Sequence, residues 1–352
     1  MERKCICGEH EKTKVSVVVP TYNGEKFIDR CLDSLFSQTY KCVEIICVND
    51  GSADNSSEIF KGYGERIKLI DKPNNQGVWK ACETGFSHAS GEYICLCDID
   101  DTVESNWLEV LVGQIEKTDA DIAVCGYRRI SAVTGKVLAE EMTKFGEACY
   151  DLPCDIAQLL SVNYSLWNKI YKKKLLENII KFGENPTVSN DLLLNVSIYP
   201  SISRISLSPE ICYNYYIYEG FTNNSVTDER YSLLKDRFLE LKELYNSLNL
   251  NHVWHEYLSL IAFILFSVFI PARIGENKEN NLRFFVKDAK KYMDENFPLW
   301  RKPEVFRLRN LLKNRQLSKL YISWVFSKLG LMVLFIKTYN FVLRTLKIEI
   351  KW

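Results

Sequence analysis

The feature that most restricts this chain is a rhythm in its first third. Short apolar runs rich in β-branched residues alternate with segments whose apolar positions recur every three or four residues. Val15-Ser-Val-Val-Val-Pro20 is the first such run and reads as a buried strand; Thr21-Tyr-Asn-Gly24 after it has turn chemistry. Over 25–38, Phe27, Ile28, Cys31, Leu32 and Leu35 follow a helical spacing. Residues 43–48, 67–70, 93–97 and 121–126 read as further strands, with helices opening near Asp54, Gly77 and Glu104. Strand and helix alternating at this spacing predict a parallel sheet covered on both faces.

The fourth run, Tyr93-Ile-Cys-Leu-Cys97, ends in Asp98, Ile99, Asp100 and Asp101. Three carboxylates within four positions repel one another and raise one another's pKa. Two readings resolve the conflict. A hard divalent cation could take one or two of the carboxylates together with substrate phosphates. Alternatively, Asp100 or Asp101 caps a helix opening near Glu104. In a doubly wound sheet the polar loops after strands one, two and four line one crevice, so Thr21, Asn23, Asp50, Ser52, Asp98 and Asp100 are expected to converge. No loop reads G-x-G-x-x-G or G-x-x-x-x-G-K-[ST], which leaves neither a dinucleotide fingerprint nor a Walker loop. An acidic crevice of this kind points to a metal that bridges protein carboxylates to phosphates.

Composition narrows the classes further. A length of 352 residues leaves room for two domains at about 150 residues each. With 45 basic and 45 acidic residues the net charge is zero, which argues against nucleic acid as a partner. Many of the 12 cysteines, among them Cys47, Cys95, Cys97 and Cys125, lie inside apolar runs as small hydrophobes, which suits a reducing compartment. Cys5, Cys7 and His10 are close together, but no second half of a zinc site follows. The first ten residues lack the apolar core of a signal peptide.

Four segments in order, Val17-Val-Val-Pro-Thr-Tyr-Asn23, Val48-Asn-Asp-Gly-Ser-Ala-Asp54, Asn75-Gln-Gly77 and Gly91-Glu-Tyr-Ile-Cys-Leu-Cys-Asp-Ile-Asp-Asp101, together resemble the family 2 glycosyltransferases of GT-A fold. The resemblance implies an α/β, Rossmann-like catalytic domain with a mostly parallel sheet. It also implies inverting transfer from a nucleotide sugar, usually a UDP-sugar, with Mn²⁺ or Mg²⁺. By match, Pro20, Thr21, Tyr22, Asn23, Glu25, Asp50, Gly51, Ser52, Asn75, Gly77, Lys80, Asp98 and Ile99 fall in the donor site. Thr21 and Tyr22 correspond to the wall beside the base and Asp50 to the carboxylate that reads uracil. Asp98 and Asp100 correspond to the D-x-D pair, facing ribose and metal and both assigned to the metal centre. Relatives often carry Ala-Arg-Asn before Thr-Gly where this chain has Ala81-Cys82-Glu83-Thr84-Gly85, so a cation near the diphosphate is replaced; Lys80 or Lys72 could substitute.

Ser165-Leu-Trp-Asn-Lys-Ile-Tyr171 resembles a recurring acceptor-side element of the family, and Asn190-Asp191-Leu-Leu-Leu the site of its general base, with Asn190 in place of the usual Glu. The resemblance implies that Asp191 is the base. Read without it, Ser189, Asn190 and Asp191 are capping residues before an apolar helix, and one residue can serve both ends. Tyr213-Asn-Tyr-Tyr-Ile-Tyr-Glu-Gly resembles the tyrosine-rich strand that closes the family's domain.

These readings give an N-terminal tail over 1–12, a GT-A domain over 13–226 with a nucleotide-sugar half (13–126) and an acceptor half (127–226), and a helical region over 227–352. Within the last, residues 257–270 form an apolar run that ends at Pro271, too short to span a bilayer and expected as a buried helix. In one long helix over 320–352, Lys337, Asn340, Arg344, Lys347 and Lys351 fall on a polar stripe extended by Ser323 and Ser327, with Trp324, Leu331, Phe335, Phe341 and Val342 largely off it. Such a helix either lies in an anionic membrane interface or packs on the catalytic domain. The expected protein is cytoplasmic, peripheral on the inner face of the plasma membrane, and acts on a glycan or lipid-linked acceptor. Two other readings compete: a non-catalytic sugar- or membrane-binding module on the same fold, and a nucleotidyltransferase, whose glycine-rich basic loop is absent.

Overall fold

The computed structural model describes residues 13–177, 190–218, 227–277, 279–307, 310–311 and 315–346. They divide into two compact units: residues 13–152 with 164–218, and residues 153–163 with the described residues from 227 onward. The stretch expected as an acceptor half is therefore interrupted, since 153–163 group with the helices.

In the first unit, ten strands among the described residues form one sheet. They are β1 (Val15–Thr21), β2 (Val43–Asn49), β3 (Lys68–Asp71), β4 (Tyr93–Leu96), β5 (Thr102–Val103), β6 (Ile122–Ser131), β7 (Val137–Glu141), β8 (Ala148–Asp151), β9 (Lys169–Lys172) and β10 (Arg204–Ile217). Their order is β3-β2-β1-β4-β9-β6-β10-β5, with β7 on β6 and β8 on β10. β1 to β4 pair in parallel, as do β6 and β10. All seven residues of β1 are buried, as its β-branched run requires of a central strand. β9 departs from the expected parallel sheet, since it inserts antiparallel between β4 and β6. Its residues, Lys169-Ile-Tyr-Lys172, carry too little apolar character to announce a central strand.

The helices α1 (Ile28–Phe36), α2 (Ser56–Gly62), α3 (Val78–His88) and α4 (Trp107–Thr118) fall in the segments of helical spacing. α1 buries Ile28, Cys31, Leu32 and Leu35, the residues whose period marked it. α5 (Ile156–Leu159) belongs to the second unit, while α6 (Lys173–Glu177) and α7 (Asn190–Ile198) return to the first.

The second unit continues with α8 (Asp228–Ser247) and α9 (His252–Ala262), capped by the side chains of Thr227 and Asn251. A π-helical stretch, Phe263–Phe269, then leads without a break into α10 (Ile270–Asn277). The run lies in a continuous helical segment, His252–Arg273, whose 22 residues are long and apolar enough to cross a membrane by length and composition, which corrects the reading of a run too short to span. It is buried as expected, with 78% of its most apolar window inside the protein. Pro271 does not end it. The widened turn just before the proline removes the ring's clash with a regular i−4 carbonyl. α11 (Glu279–Asn296), α12 (Arg315–Lys328) and α13 (Met332–Leu346) follow.

The single helix expected over 320–352 is two. Gly330 at φ +74° closes α12, with the Leu331 N–H donating to the Phe326 carbonyl at 2.8 Å. Only glycine takes this left-handed turn at low cost. The expected stripe is split, its small polar members turning inward. Ser323, Ser327 and Asn340 are buried with Met332 and Ile336, whereas Leu331, Leu334, Phe341 and Val342 are exposed. Ser323 Oγ donates to the Leu320 carbonyl and Asn340 Nδ2 to the Ala272 carbonyl at 2.9 Å, while Asn340 Oδ1 is buried without a hydrogen-bond partner among the described residues. Lys337 is exposed; the Arg344 side chain, Lys347 and Lys351 lie outside the described residues.

Candidate active site

Because β1, β2 and β4 are parallel neighbours, their carboxyl ends deliver three polar loops to one edge of the sheet. The Asp50 N–H donates to the Thr21 carbonyl at 2.8 Å, carrying the β1–β2 ladder into the loops. Gly24 lies against Thr21 and Ile99: a Cβ there would come within 2.6 Å of the Thr21 methyl and 3.1 Å of Ile99. The first loop is thereby seated on the segment that carries Asp98 and Asp100.

Asp50 is almost wholly buried and holds the loop after β3. One carboxylate oxygen pairs with Lys72, and the other accepts from the Gln76 N–H at 3.0 Å and the Gly77 N–H at 2.7 Å. A carboxylate offers about four lone-pair directions; three are taken, which leaves one for a ligand N–H. Gly51 makes this close approach feasible, since a Cβ there would sit 2.4 Å from the Asn74 carbonyl carbon. Asn75 turns inward on its own loop, its Oδ1 accepting from the Gly77 N–H at 2.8 Å.

Several expected donor-site residues spend their polar atoms on bracing. The Asn23 N–H donates to Ser52 Oγ, and Asn23 Oδ1 accepts from the Ala53 N–H, both at 2.9 Å. Glu25 Oε2 accepts from the Asn55 N–H at 3.1 Å. Lys80 pairs with Glu83 at 2.7 Å, and Trp79 Nε1 donates to the same carboxylate, so the expected substitute cation already has a partner. Lys72 is likewise taken by Asp50. Tyr22, in the loop after β1, is half exposed.

The three carboxylates after β4 separate in role. Asp101 is fully buried and structural: Tyr213 Oη donates to it at 2.9 Å and the Tyr216 N–H at 2.8 Å. Asp98 and Asp100 stay partly accessible. Burial pushes the Asp98 carboxyl up, and the charges of Asp100 and Asp191 push it further. Burial also raises Asp100, with the Arg30 guanidinium opposing. Two desolvated carboxylates that repel each other suit a divalent cation whose remaining ligands are substrate oxygens. Among the described residues, no three His, Cys, Asp or Glu side chains form a complete ligand set by themselves.

Asp191 opens α7, and its charge is felt at Asp98 although 93 residues separate them. Its Oδ2 accepts from the Leu166 N–H at 3.4 Å, not from its own helix. Burial lifts its pKa to about 6, opposed by the Leu166 hydrogen bond and the Lys169 charge. Lys169 is fully buried, donates to the Ser165 carbonyl at 2.6 Å and Asn168 Oδ1 at 3.0 Å, and is pushed down to about 7 by burial. Trp167 stacks on Tyr213 and Tyr215 at 4.4 and 5.3 Å, so the segment before β9 locks onto the tyrosine-rich strand β10. Cys82 is buried, and its thiol is raised by burial and then by the charges of Asp98 and Asp191.

Arg30 was not singled out by the sequence. From α1 its Nη2 donates to the Asp100 carbonyl and to Tyr218 Oη at 2.9 Å, and its guanidinium lies 4.0 Å from the Tyr216 ring centroid. An exposed arginine in a helix carries no local signal; only the return of β10 reveals it.

Residues 16–180 match the family described as Glycosyl transferase family 2. These residues form a family 2 glycosyltransferase domain. In sequence the chain is 33% identical over 245 residues to glycosyltransferase GlyA of Streptococcus pneumoniae, a match covering 64% of this chain and 34% of GlyA. It is 32% identical over 235 residues to the uncharacterized glycosyltransferase EpsJ of Bacillus subtilis, covering 64% of this chain and 66% of EpsJ. The chain thus spans about a third of the length of GlyA and just under two thirds of EpsJ. In structure, the glycosyltransferase fold resembles S. aureus TarS 1–349, solved with UDP-GlcNAc, at a TM-score of 0.69 and 21% identity over 94% of this chain and 92% of that one. A mannosyltransferase of Pyrobaculum calidifontis in complex with GDP-Man and Mn²⁺ aligns at a TM-score of 0.50 and 16% identity, covering 94% and 87%.

Proposed function

We propose that this domain transfers a sugar from a nucleotide sugar, a UDP-sugar in particular, to a hydroxyl of a glycan or lipid-linked acceptor, with inversion at the anomeric carbon. The observation that carries the reading is the pair Asp98 and Asp100 beyond the carboxyl edge of the parallel strands, with the charge of Asp191 raising the Asp98 carboxyl. Donor-site neighbours that hold UDP-GlcNAc or GDP-Man with Mn²⁺ support the same class of donor. In this reading residues 13–126 hold the donor, and the later described residues of the same unit, 127–152, 164–177 and 190–218, contribute the acceptor side.

Asp100, with Asp98, would hold Mn²⁺ or Mg²⁺. That ion would offset the charge that builds on the departing diphosphate. The remaining work belongs to the chain. Tyr22 and Thr21 flank the base, and the free lone pair of Asp50 accepts its N–H. Asp191 takes the proton of the acceptor hydroxyl, a poor nucleophile until deprotonated. A carboxylate with a pKa of about 6 is ionised at neutral pH yet more basic than an exposed one, which suits that task. Ten described cysteines carry free thiols, in keeping with a cytoplasmic site of action.

The test is nucleotide release from a panel of UDP-sugars and GDP-mannose, with and without EDTA. The reading expects one donor to be turned over, with activity lost in EDTA and restored by Mn²⁺. Donor binding without any turnover would favour the binding-module reading, and no binding of any nucleotide sugar would refute both.

A further inference from the structure

We infer that the outward face of α12 and α13 is a docking surface for an anionic lipid bilayer. The inference goes beyond the transfer reaction and concerns a different unit of the chain. Among the described residues, fifteen large hydrophobic side chains are exposed, and seven of them lie between Tyr321 and Val342. Leu331 (43% exposed), Leu334 (55%) and Phe341 (69%) follow helical spacing along one side of α13, with Val342 beside them. The opposite side, Met332, Ile336 and Asn340, is buried. Ile322 and Leu329 extend the exposed apolar surface onto α12. The two helices are tied together by Phe326 against Phe335, 5.3 Å between ring centroids. A soluble monomer rarely leaves so contiguous an apolar surface open to water.

Charge identifies the occupant. From Arg315 to the last residue the sequence carries seven Lys or Arg against one acid, Glu349, in a chain whose overall net charge is zero. A second copy docked through this face would set two net-positive segments against each other, and like charges brought together disfavour such a pairing. An anionic bilayer meets both properties: apolar side chains enter the acyl boundary while basic residues remain among the phosphates. α13 has 15 residues, short of the roughly 20 needed to cross, so the geometry is that of a helix pair lying in the interface.

The experiment uses the full chain and sedimentation with vesicles of phosphatidylcholine alone or mixed with phosphatidylglycerol. Binding is expected with the mixed vesicles and to be much weaker with phosphatidylcholine. Added salt should reduce binding without abolishing it, because screening acts on the charges and not on the apolar contact. Leu334→Gln with Phe341→Gln should lower partitioning by about tenfold or more. Both side chains are exposed, so thermal melting and donor hydrolysis without vesicles should remain those of the wild type. Lys337→Glu should remove part of the salt-sensitive component. Failure of the full chain to sediment with phosphatidylglycerol vesicles at low salt would overturn the proposal. So would wild-type partitioning by the double variant, or a dimer that the double variant disperses while vesicles go unbound. Donor hydrolysis, measured in the same preparations, tests the transferase reading separately.

Discussion

Asp191→Asn separates a catalytic base from a structural cap, because the two roles respond to it in opposite ways. The substitution keeps the shape of the side chain and its acceptor oxygen for the Leu166 N–H, but removes the charge and the ability to take a proton. As a base, Asp191 is worth on the order of 10²–10⁴ in turnover. Its stability term has the reverse sign. The carboxyl moves from 3.8 to about 6 on folding, so the folded protein binds that proton more tightly than the unfolded chain. The contribution of this group to stability is therefore most favourable below pH 4, where Asp191 is protonated in both states, and it declines as pH rises through 6. Above that the ionised group carries a penalty of up to roughly 3 kcal/mol. Partial exposure and the weaker neutral hydrogen bond from Leu166 reduce the benefit of removing it to about 1–2 kcal/mol. The Asn variant should thus match the wild type near pH 4 and melt higher at pH 7.5, by about 2–4 °C per kcal/mol. Thermal denaturation from pH 4 to 8, without donor or metal, measures this. Turnover under saturating donor measures the other half, and wild-type kcat/KM should rise with pH through about 6. A variant that retains activity, or that is destabilised at pH 7.5, would refute the reasoning.

Asp100→Ala should abolish transfer and remove the metal dependence of UDP binding in calorimetry; equal UDP affinity with and without EDTA in the wild type would contradict it. Asp50→Ala strands the nearly buried Lys72 and frees two N–H donors of the loop after β3, so about 3–5 kcal/mol of stability should be lost in urea denaturation, together with UDP affinity. Arg30→Ala removes charge-assisted bonds to the Asp100 carbonyl and Tyr218. It should slow turnover by about 10- to 100-fold with little change in melting temperature, and unchanged kinetics would show that Arg30 only covers Tyr216.

The sequence by itself determined the architecture of residues 13–126 in the first unit. Its strands and helices are set by period-two and period-3.6 burial within each segment, which are local properties, and the turns after β1 and β2 announce themselves by Asn23 and by Asp50-Gly51. It also picked out Asp98, Asp100 and Asp191 as a set, because motif spacing survives without contacts. Only the tertiary structure decided how those residues are used. Asp101 is withdrawn from the acidic cluster by Tyr213 and Tyr216, Lys80 by Glu83, and Arg30 is added by β10. Each depends on a partner far along the chain, and no window of sequence contains both. The same holds for β9, whose place between β4 and β6 is fixed by its neighbours' hydrogen bonds more than by its own apolar content. In α13 the outcome is a split of the expected polar stripe, with Asn340 buried and Lys337 exposed. Asn340 turns inward because it finds the Ala272 carbonyl of α10, and the small Ser323 and Ser327 of α12 are buried with it. That leaves Leu334 and Phe341 facing out. Periodicity reveals that a helix has two faces; which face is buried depends on the surface it meets.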